Sequence, residues 1–163
     1  NILNSRIYWS EDRSLKISDY KGSTANKNDI AKTHTGILFN TRKNESDELE
    51  IEVHAYFECD SSYFVQSAYN FELFKHEKLH FDITELHARK LRKKFTEELQ
   101  NTEDLRQKGK ALLDSMNTAC TKMRETYISE VNEQPIMQDT WNAEIAIQLW
   151  DFERYSDPKI TID

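Results

Sequence analysis

The spacing of apolar residues changes near residue 70, and this change limits the folds that the chain can adopt. Between Leu49 and Glu58 apolar and polar residues alternate, which is the period of a strand with one buried face. From about Asn70 onward, apolar residues mostly recur at helical spacing. Strands that come first and helices that follow predict an α+β domain.

Three helices are predicted in the second part of the chain. The first covers about 70–100, where there is no glycine or proline and good helix formers are frequent. The second covers about 102–130 and ends before Pro135, since proline disfavours helix in the residue that precedes it. The third runs over about 138–152, after which Pro158 leads into a tail.

Short strands are predicted before the first helix. They lie near 7–9, 37–41 and 49–57, and the turn-like segment 44–47 joins the last two into a hairpin. We therefore expect a small, mainly antiparallel N-terminal sheet that packs on the first helix, with the two further helices closing the core.

The composition favours one globular domain over residues 1–163. Hydrophobic residues make up 37% and charged residues 31%, which argues against a disordered chain. The net charge of −7 disfavours nucleic acid as a partner. No stretch approaches the ~20 apolar residues that a membrane span needs. The basic run over 89–94 is interpreted as the solvated side of a helix.

The segment His76-Glu77-Lys78-Leu79-His80 has the His-Glu-x-x-His pattern. Histidines four residues apart on a helix point the same way, so both imidazoles can reach one zinc ion. The glutamate beside the first histidine is then placed to act as a general base for hydrolysis. The pattern predicts His76 and His80 as zinc ligands and Glu77 as the catalytic base.

The helical wheel of this segment supports an inward position for the histidines. His76, His80 and Thr84 share a sector with apolar residues, whereas Asp82, Glu85 and Arg89 fall in the opposite, solvated sector. The alternative interpretation is two core histidines that are satisfied by hydrogen bonds, with Glu77 paired to a lysine.

A third zinc ligand is not obvious from the pattern. His87 lies seven residues beyond His80 on the same helix, a rise of ~10 Å, so the two side chains are too far apart to bind one ion. His54 lies on the polar face of its strand, and His34 lies in a segment that we cannot place. Glu144 is the favoured candidate, because its helix puts it on an inward stripe with Trp141 and Ile145.

The alternatives to Glu144 stay open. Its carboxylate can instead form a salt bridge with an arginine or lysine. Asp139 is the fallback ligand, although it can equally cap the last helix. Tyr127, Arg89 and His87 are the candidate donors to a developing oxyanion.

The residues around the motif carry a pattern that extends beyond its three fixed positions. The segment 74–92, FKHEKLHFDITELHARKLR, resembles the signature of a bacterial domain-of-unknown-function family of predicted secreted zinc-dependent proteases. The segments 15–22, 33–37 and 53–57 are similar to the strands and turns that precede that signature. The resemblance covers roughly residues 7 to 95. It implies a zincin-like fold, peptide or protein substrates, and export to the periplasm or out of the cell.

The C-terminal part departs from the family's pattern. The family tends to carry a histidine five residues after an aspartate, followed by glutamine and tryptophan. Here Asp139 is followed five residues later by Glu144, with Gln148 and Trp150 after it. The correspondence implies a metal set of two histidines and one glutamate.

Two other classes of function are consistent with the sequence. The first is a non-catalytic zinc-binding or structural module that keeps the zincin-like fold. The second is a metal-free helical interaction domain in which the motif is a coincidence. Cys59 and Cys120 form either one bridge or two buried thiols.

Overall fold

A long hairpin forms the centre of the sheet in the computed structural model, which describes residues 5–162. Its strands are β3 (Thr35–Lys43) and β4 (Leu49–Glu58), which pair antiparallel along their whole length. The turn between them is held by the side chain of Asn44, which accepts from two backbone N–H groups of the turn, and by the left-handed φ of 63° at Asp47. The predicted hairpin is confirmed.

The other edge of β4 pairs with two short strands from the ends of the chain. The strand β1 (Arg6–Tyr8) pairs antiparallel with the C-terminal end of β4. The strand β6 (Lys159–Ile162) pairs antiparallel with its N-terminal end. The prediction of a tail after Pro158 is therefore wrong: alternate apolar residues, Ile160 and Ile162, pack against the core from this strand.

Three helices follow the sheet, as predicted. They are α1 (Phe71–Glu98), α2 (Thr102–Glu133) and α3 (Met137–Asp151). The first two begin at asparagine caps, since the side chains of Asn70 and Asn101 each accept from the backbone N–H three residues later. In the part of the chain that the structure describes, none of the helices is long and apolar enough to cross a membrane.

The helix α1 is covered on two opposite sides. One side packs on the sheet, and the cluster there includes Phe81, Ala88, Leu91 and Phe95 from α1 and Ile51, Val53 and Phe57 from β4. The other side packs on α2 and α3 in a second cluster that includes Leu79, Ile83, Leu86, Tyr127 and Ile145. More than half of the residues of α1 are buried as a result.

This double cover overturns the predicted solvated side of α1. Glu85 and Arg92 are each only 1% exposed, and Arg89 is 2% exposed. Asp82 is half-buried, and its Oδ1 accepts from Trp9 Nε1 at 2.8 Å. The wheel placed Asp82, Glu85 and Arg89 in solvent, and the basic run placed Arg92 there, because both interpretations assumed one covered face, whereas the protein covers two.

Arg92 joins three segments inside the core. Its guanidinium donates to the carbonyl oxygen of Val53 on β4 at 2.6 Å and to that of Tyr155, which precedes β6, at 2.9 Å. It also forms an ion pair with Glu85 at 3.0 Å, and Arg89 pairs with the same carboxylate at 3.1 Å. The charges are therefore compensated inside the protein, and α1 is tied to the sheet.

The two cysteines are separate buried thiols. Cys59 lies in the cluster beside the sheet, and Cys120 lies in the cluster between the helices. The Cys120 Sγ is 3.7 Å from Thr84 Oγ1. Of the two alternatives, the structure has buried thiols.

The Arg92 contacts generate a stability prediction. Arg92→Met should lower the free energy of unfolding by about 3–5 kcal/mol, because it leaves the buried Glu85 carboxylate with one partner fewer and the Val53 carbonyl unpaired. The matched control is Arg106→Met, which removes an exposed ion pair with Glu103 and should leave the free energy of unfolding close to the wild-type value. Urea unfolding of the three proteins measures both changes, and equal small losses would contradict the role given to Arg92.

Candidate metal centre

The motif residues lie together near the start of α1. His80 and Glu77 are buried, and the His76 side chain is 14% exposed. One ligand atom from each of the three side chains lies within 4.8 Å of the others. The imidazole rings of His76 and His80 are 5.6 Å apart between centroids and nearly perpendicular. The structure thus brings His76, Glu77 and His80 into one group that can hold a metal ion.

This group opens on a cleft of about 530 Å³. Its walls come from the segment 28–33, from α1 and from α2, so distant parts of the sequence meet there. Its lining residues include Asp29, Lys32, Leu73, Arg124, Ile128 and Asn132 in addition to the three motif residues. A ligand that enters the cleft therefore meets the motif directly.

Thr33 positions the Glu77 carboxylate. The threonine follows the short strand β2 (Ala31–Lys32), which pairs with β5 (Tyr63–Phe64). Its Oγ1 donates to Glu77 Oε1 at 2.9 Å, and Tyr20 OH lies 2.9 Å from the same Oγ1 on the other side. Burial raises the pKa of the Glu77 carboxyl, while the Thr33 hydrogen bond opposes part of that rise. One carboxylate oxygen is thus held by Thr33, and the other, Oε2, lies 4.0 Å from His76 Nε2.

Gln138 on α3 positions the His76 imidazole. Its Oε1 only accepts, so the 2.8 Å contact is donated by His76 Nδ1–H and the Nε2 lone pair stays available. Tyr127 stacks on the same imidazole at 4.6 Å between centroids and donates from its hydroxyl to the His76 carbonyl oxygen at 2.7 Å. Gln138 Nε2 donates back to the Tyr127 hydroxyl at 2.8 Å. This is the arrangement expected of a metal-ligating histidine.

Arg124 on α2 contacts the second histidine. Its Nε donates to His80 Nδ1 at 3.0 Å. A guanidinium has no acceptor, so Nδ1 carries the lone pair and the proton of the neutral ring lies on Nε2. Burial, with a further contribution from Arg124, lowers the pKa of His80 well below its usual value, so the ring is neutral.

The Arg124 guanidinium has only neutral hydrogen-bond partners. Besides His80, it donates from NH1 to Thr35 Oγ1 at 3.0 Å and from NH2 to the Thr33 carbonyl oxygen at 2.7 Å. Among residues 5–162, it forms no ion pair with a carboxylate. Burial lowers the pKa of Arg124, although Glu77 opposes this through its negative charge. A half-buried cation without a paired anion therefore lies on the wall of the cleft.

The donor set fits a divalent metal at His76 and Glu77, and at His80 only after the Arg124 contact is released. A histidine ligand normally donates its second N–H to an oxygen, as His76 does with Gln138. His80 instead presents its second nitrogen to a cation. A metal bound at His80 thus requires a change at Arg124.

The structure does not bring Glu144 to this group. The side chain is exposed, and Gln148 Nε2 donates to its Oε1 at 3.2 Å. Within the described chain, the metal-binding group contains only the three motif residues. The inward placement predicted for Glu144 is wrong, because α3 turns Ile145 and Gln138 toward α1 and α2 instead. The fallback, Asp139, is also exposed and pairs with Lys75 at 2.9 Å.

The other candidate residues lie elsewhere. His54 stacks on Tyr8 at 4.2 Å on the outer face of the sheet, as its place on the polar face predicted. His87 donates from Nδ1 to the Ile83 carbonyl oxygen at 2.8 Å. Arg89 is bound to Glu85 and to a carbonyl of α3. Of the three predicted oxyanion donors, only Tyr127 adjoins the motif histidines.

Thr33, Gln138 and Arg124 are site residues that were not predicted from the sequence. A signal for Arg124 exists: it lies four residues after Cys120 and three before Tyr127, so it shares the buried stripe of α2. A cation on an apolar stripe needs a partner inside the protein. Thr33 carries no comparable signal, because its position depends on long-range pairing of β2.

In comparisons with known proteins, no protein-family model, no curated protein and no solved structure matches this chain. The family resemblance therefore stays a prediction from the sequence. The structure itself shows an α+β domain with an antiparallel sheet, three helices and a His-Glu-x-x-His group that can hold a metal ion.

Proposed function

We propose that this protein is a zincin-like, zinc-dependent metallopeptidase. The observation that carries this proposal is that His76, Glu77 and His80 each place one ligand atom within 4.8 Å of the others, on the wall of a cleft. A general base beside two imidazoles is the arrangement that metal-assisted amide hydrolysis needs. The family resemblance supports the same interpretation, and with it the proposal of export and of peptide or protein substrates.

Zinc is the proposed metal because neutral imidazoles and carboxylate oxygens suit that ion. His76 and His80 would hold it, and when bound it supplies a Lewis acid that polarises the scissile carbonyl. Because Glu77 is assigned to the base, two protein ligands remain in the group among the described residues, and we expect weaker binding than at a site with three.

Glu77 is the proposed base, and its surroundings fit that role. Thr33 fixes one carboxylate oxygen, which leaves Oε2 on the His76 side of the group to accept a proton from a water molecule. Burial raises its pKa, which strengthens it as a proton acceptor. Gln138 and Tyr127 hold the first histidine in the orientation that keeps Nε2 available.

A second candidate function is a non-catalytic binding module with the same fold. The observation in its favour is the Arg124 guanidinium, which occupies the second nitrogen of His80 and places a positive charge at the motif. In such a protein the cleft would bind a ligand without hydrolysing it. The two candidates differ in whether the protein cleaves peptides, since a binding module of this fold can also hold zinc.

Zinc affinity should depend on both motif histidines. Replacing both His76 and His80 by glutamine should abolish zinc binding, because it removes both imidazole ligands. Glu144→Ala is the matched control and should leave the dissociation constant within about twofold, since its carboxylate is exposed and away from the group. Isothermal titration calorimetry measures all three proteins. A well-folded wild-type protein that takes up no zinc, or a double variant that binds zinc as well as wild type, would contradict the proposed site.

Catalysis should depend on Glu77. Glu77→Gln should retain zinc but lower peptide hydrolysis by roughly 10² or more, because the amide cannot accept the proton. Turnover of a quenched fluorescent peptide library, normalised to zinc content, measures this. Zinc binding without any cleavage by the wild-type protein would favour the binding module. Equal turnover by both proteins would remove Glu77 from the mechanism.

A further inference from the structure

We propose that Arg124 is a positioning residue that keeps His80 from binding a metal, so that metal entry requires the guanidinium to leave the imidazole. The inference rests on the proposed metal site and concerns how that site is controlled. Its starting point is the 3.0 Å hydrogen bond from Arg124 Nε to His80 Nδ1.

The hydrogen bond and metal ligation are mutually exclusive at either ring nitrogen. Metal binding through Nδ1 would use the lone pair that Arg124 Nε–H already occupies. Metal binding through Nε2 would require the ring proton to move from Nε2 to Nδ1, where it would oppose the N–H of the guanidinium. In both cases His80 becomes a ligand only when Arg124 withdraws.

Charge adds to this exclusion. Arg124 is half-buried beside the motif and has no carboxylate paired with it in the described structure. A second cation placed beside it in a partly desolvated cleft is repelled more strongly than in water. Arg124 thus disfavours a divalent metal through its charge as well as through its hydrogen bond.

The cleft beside Arg124 leaves room for its side chain to move. Arg124 lines the cleft, and its other contacts are to Thr33 and Thr35 at the entrance of β3. Withdrawal from His80 therefore needs a rearrangement of this side chain within the cleft. His76 needs no such change, since its Nδ1–H already donates to Gln138.

Arg124→Gln tests the inference directly. The glutamine carbonyl can accept from His80 Nδ1–H, which is the tautomer that frees Nε2 for a metal, and the positive charge is lost. Zinc should bind at least ~10-fold more tightly than to the wild-type protein, the size of effect seen for groups that orient histidine ligands. Isothermal titration with zinc chloride, on protein whose melting temperature shows it to be folded, measures this change.

Two control variants separate the local effect of Arg124 from the effect of net charge. Arg124→Lys keeps a donor-only cation at the position and should stay within about threefold of the wild-type affinity. Lys122→Gln removes one positive charge from an exposed position on the same helix and should change the affinity by less than about twofold. An equal gain in Lys122→Gln would assign the effect to net charge and overturn the role of Arg124.

The tautomer of His80 gives a readout that needs neither metal nor activity. In metal-free wild-type protein, two-dimensional ¹⁵N NMR of the imidazoles should show His80 protonated on Nε2 and His76 protonated on Nδ1. A proton on His80 Nδ1 would overturn the inference even if Arg124→Gln fails to fold. Equal zinc affinities of the wild type and Arg124→Gln would overturn the inference alone, whereas no zinc binding by either would overturn the metal site as well.

Discussion

The burial of α1 on two opposite sides is the constraint on which the rest of the structure depends. The sheet covers one side and the pair α2 and α3 covers the other, so polar residues of α1 must find partners inside the protein. Glu85 forms an ion pair with Arg92, Glu77 accepts a hydrogen bond from Thr33, and His80 accepts one from Arg124. The structural ion pair and the candidate site thus lie on the same buried helix, and in both the polar side chains are paired with partners inside the protein.

The position of the cleft follows from this arrangement. The hydrogen bonds from Arg92 to Val53 hold the C-terminal half of α1 against β4, while the motif lies near the start of the helix, where α2 and the segment 28–33 form the walls of the cleft. Each of these elements contributes a contact to the motif: Thr33 to Glu77, Gln138 to His76 and Arg124 to His80. In the proposed metal site, the first two contacts orient the base and a ligand, whereas the third opposes metal binding.

The sequence predicted what is encoded locally. The hairpin and the three helices follow from the spacing of apolar residues and from the positions of turn residues and proline, and the inward direction of His76 and His80 follows from the helical wheel. The solvated side of α1 was wrong because a wheel cannot show that a second layer covers the helix. The placement of Glu144 failed for a related reason: α3 is apolar on several sides, so its sequence does not identify the side that faces α1. Arg124 and Thr33 reach the motif only through tertiary packing.

X-ray absorption at the zinc K-edge tests the central claim, that the motif is a zinc site, most directly, because it identifies the ligands of the bound ion. For the zinc-loaded protein, we expect the multiple scattering of two imidazoles, with first-shell nitrogen and oxygen atoms at about 2.0–2.1 Å. The same spectrum of the variant that lacks both histidines should lose the imidazole scattering. A shell of sulfur at about 2.3 Å, or oxygen alone with no imidazole, would contradict a zinc ion bound by His76 and His80.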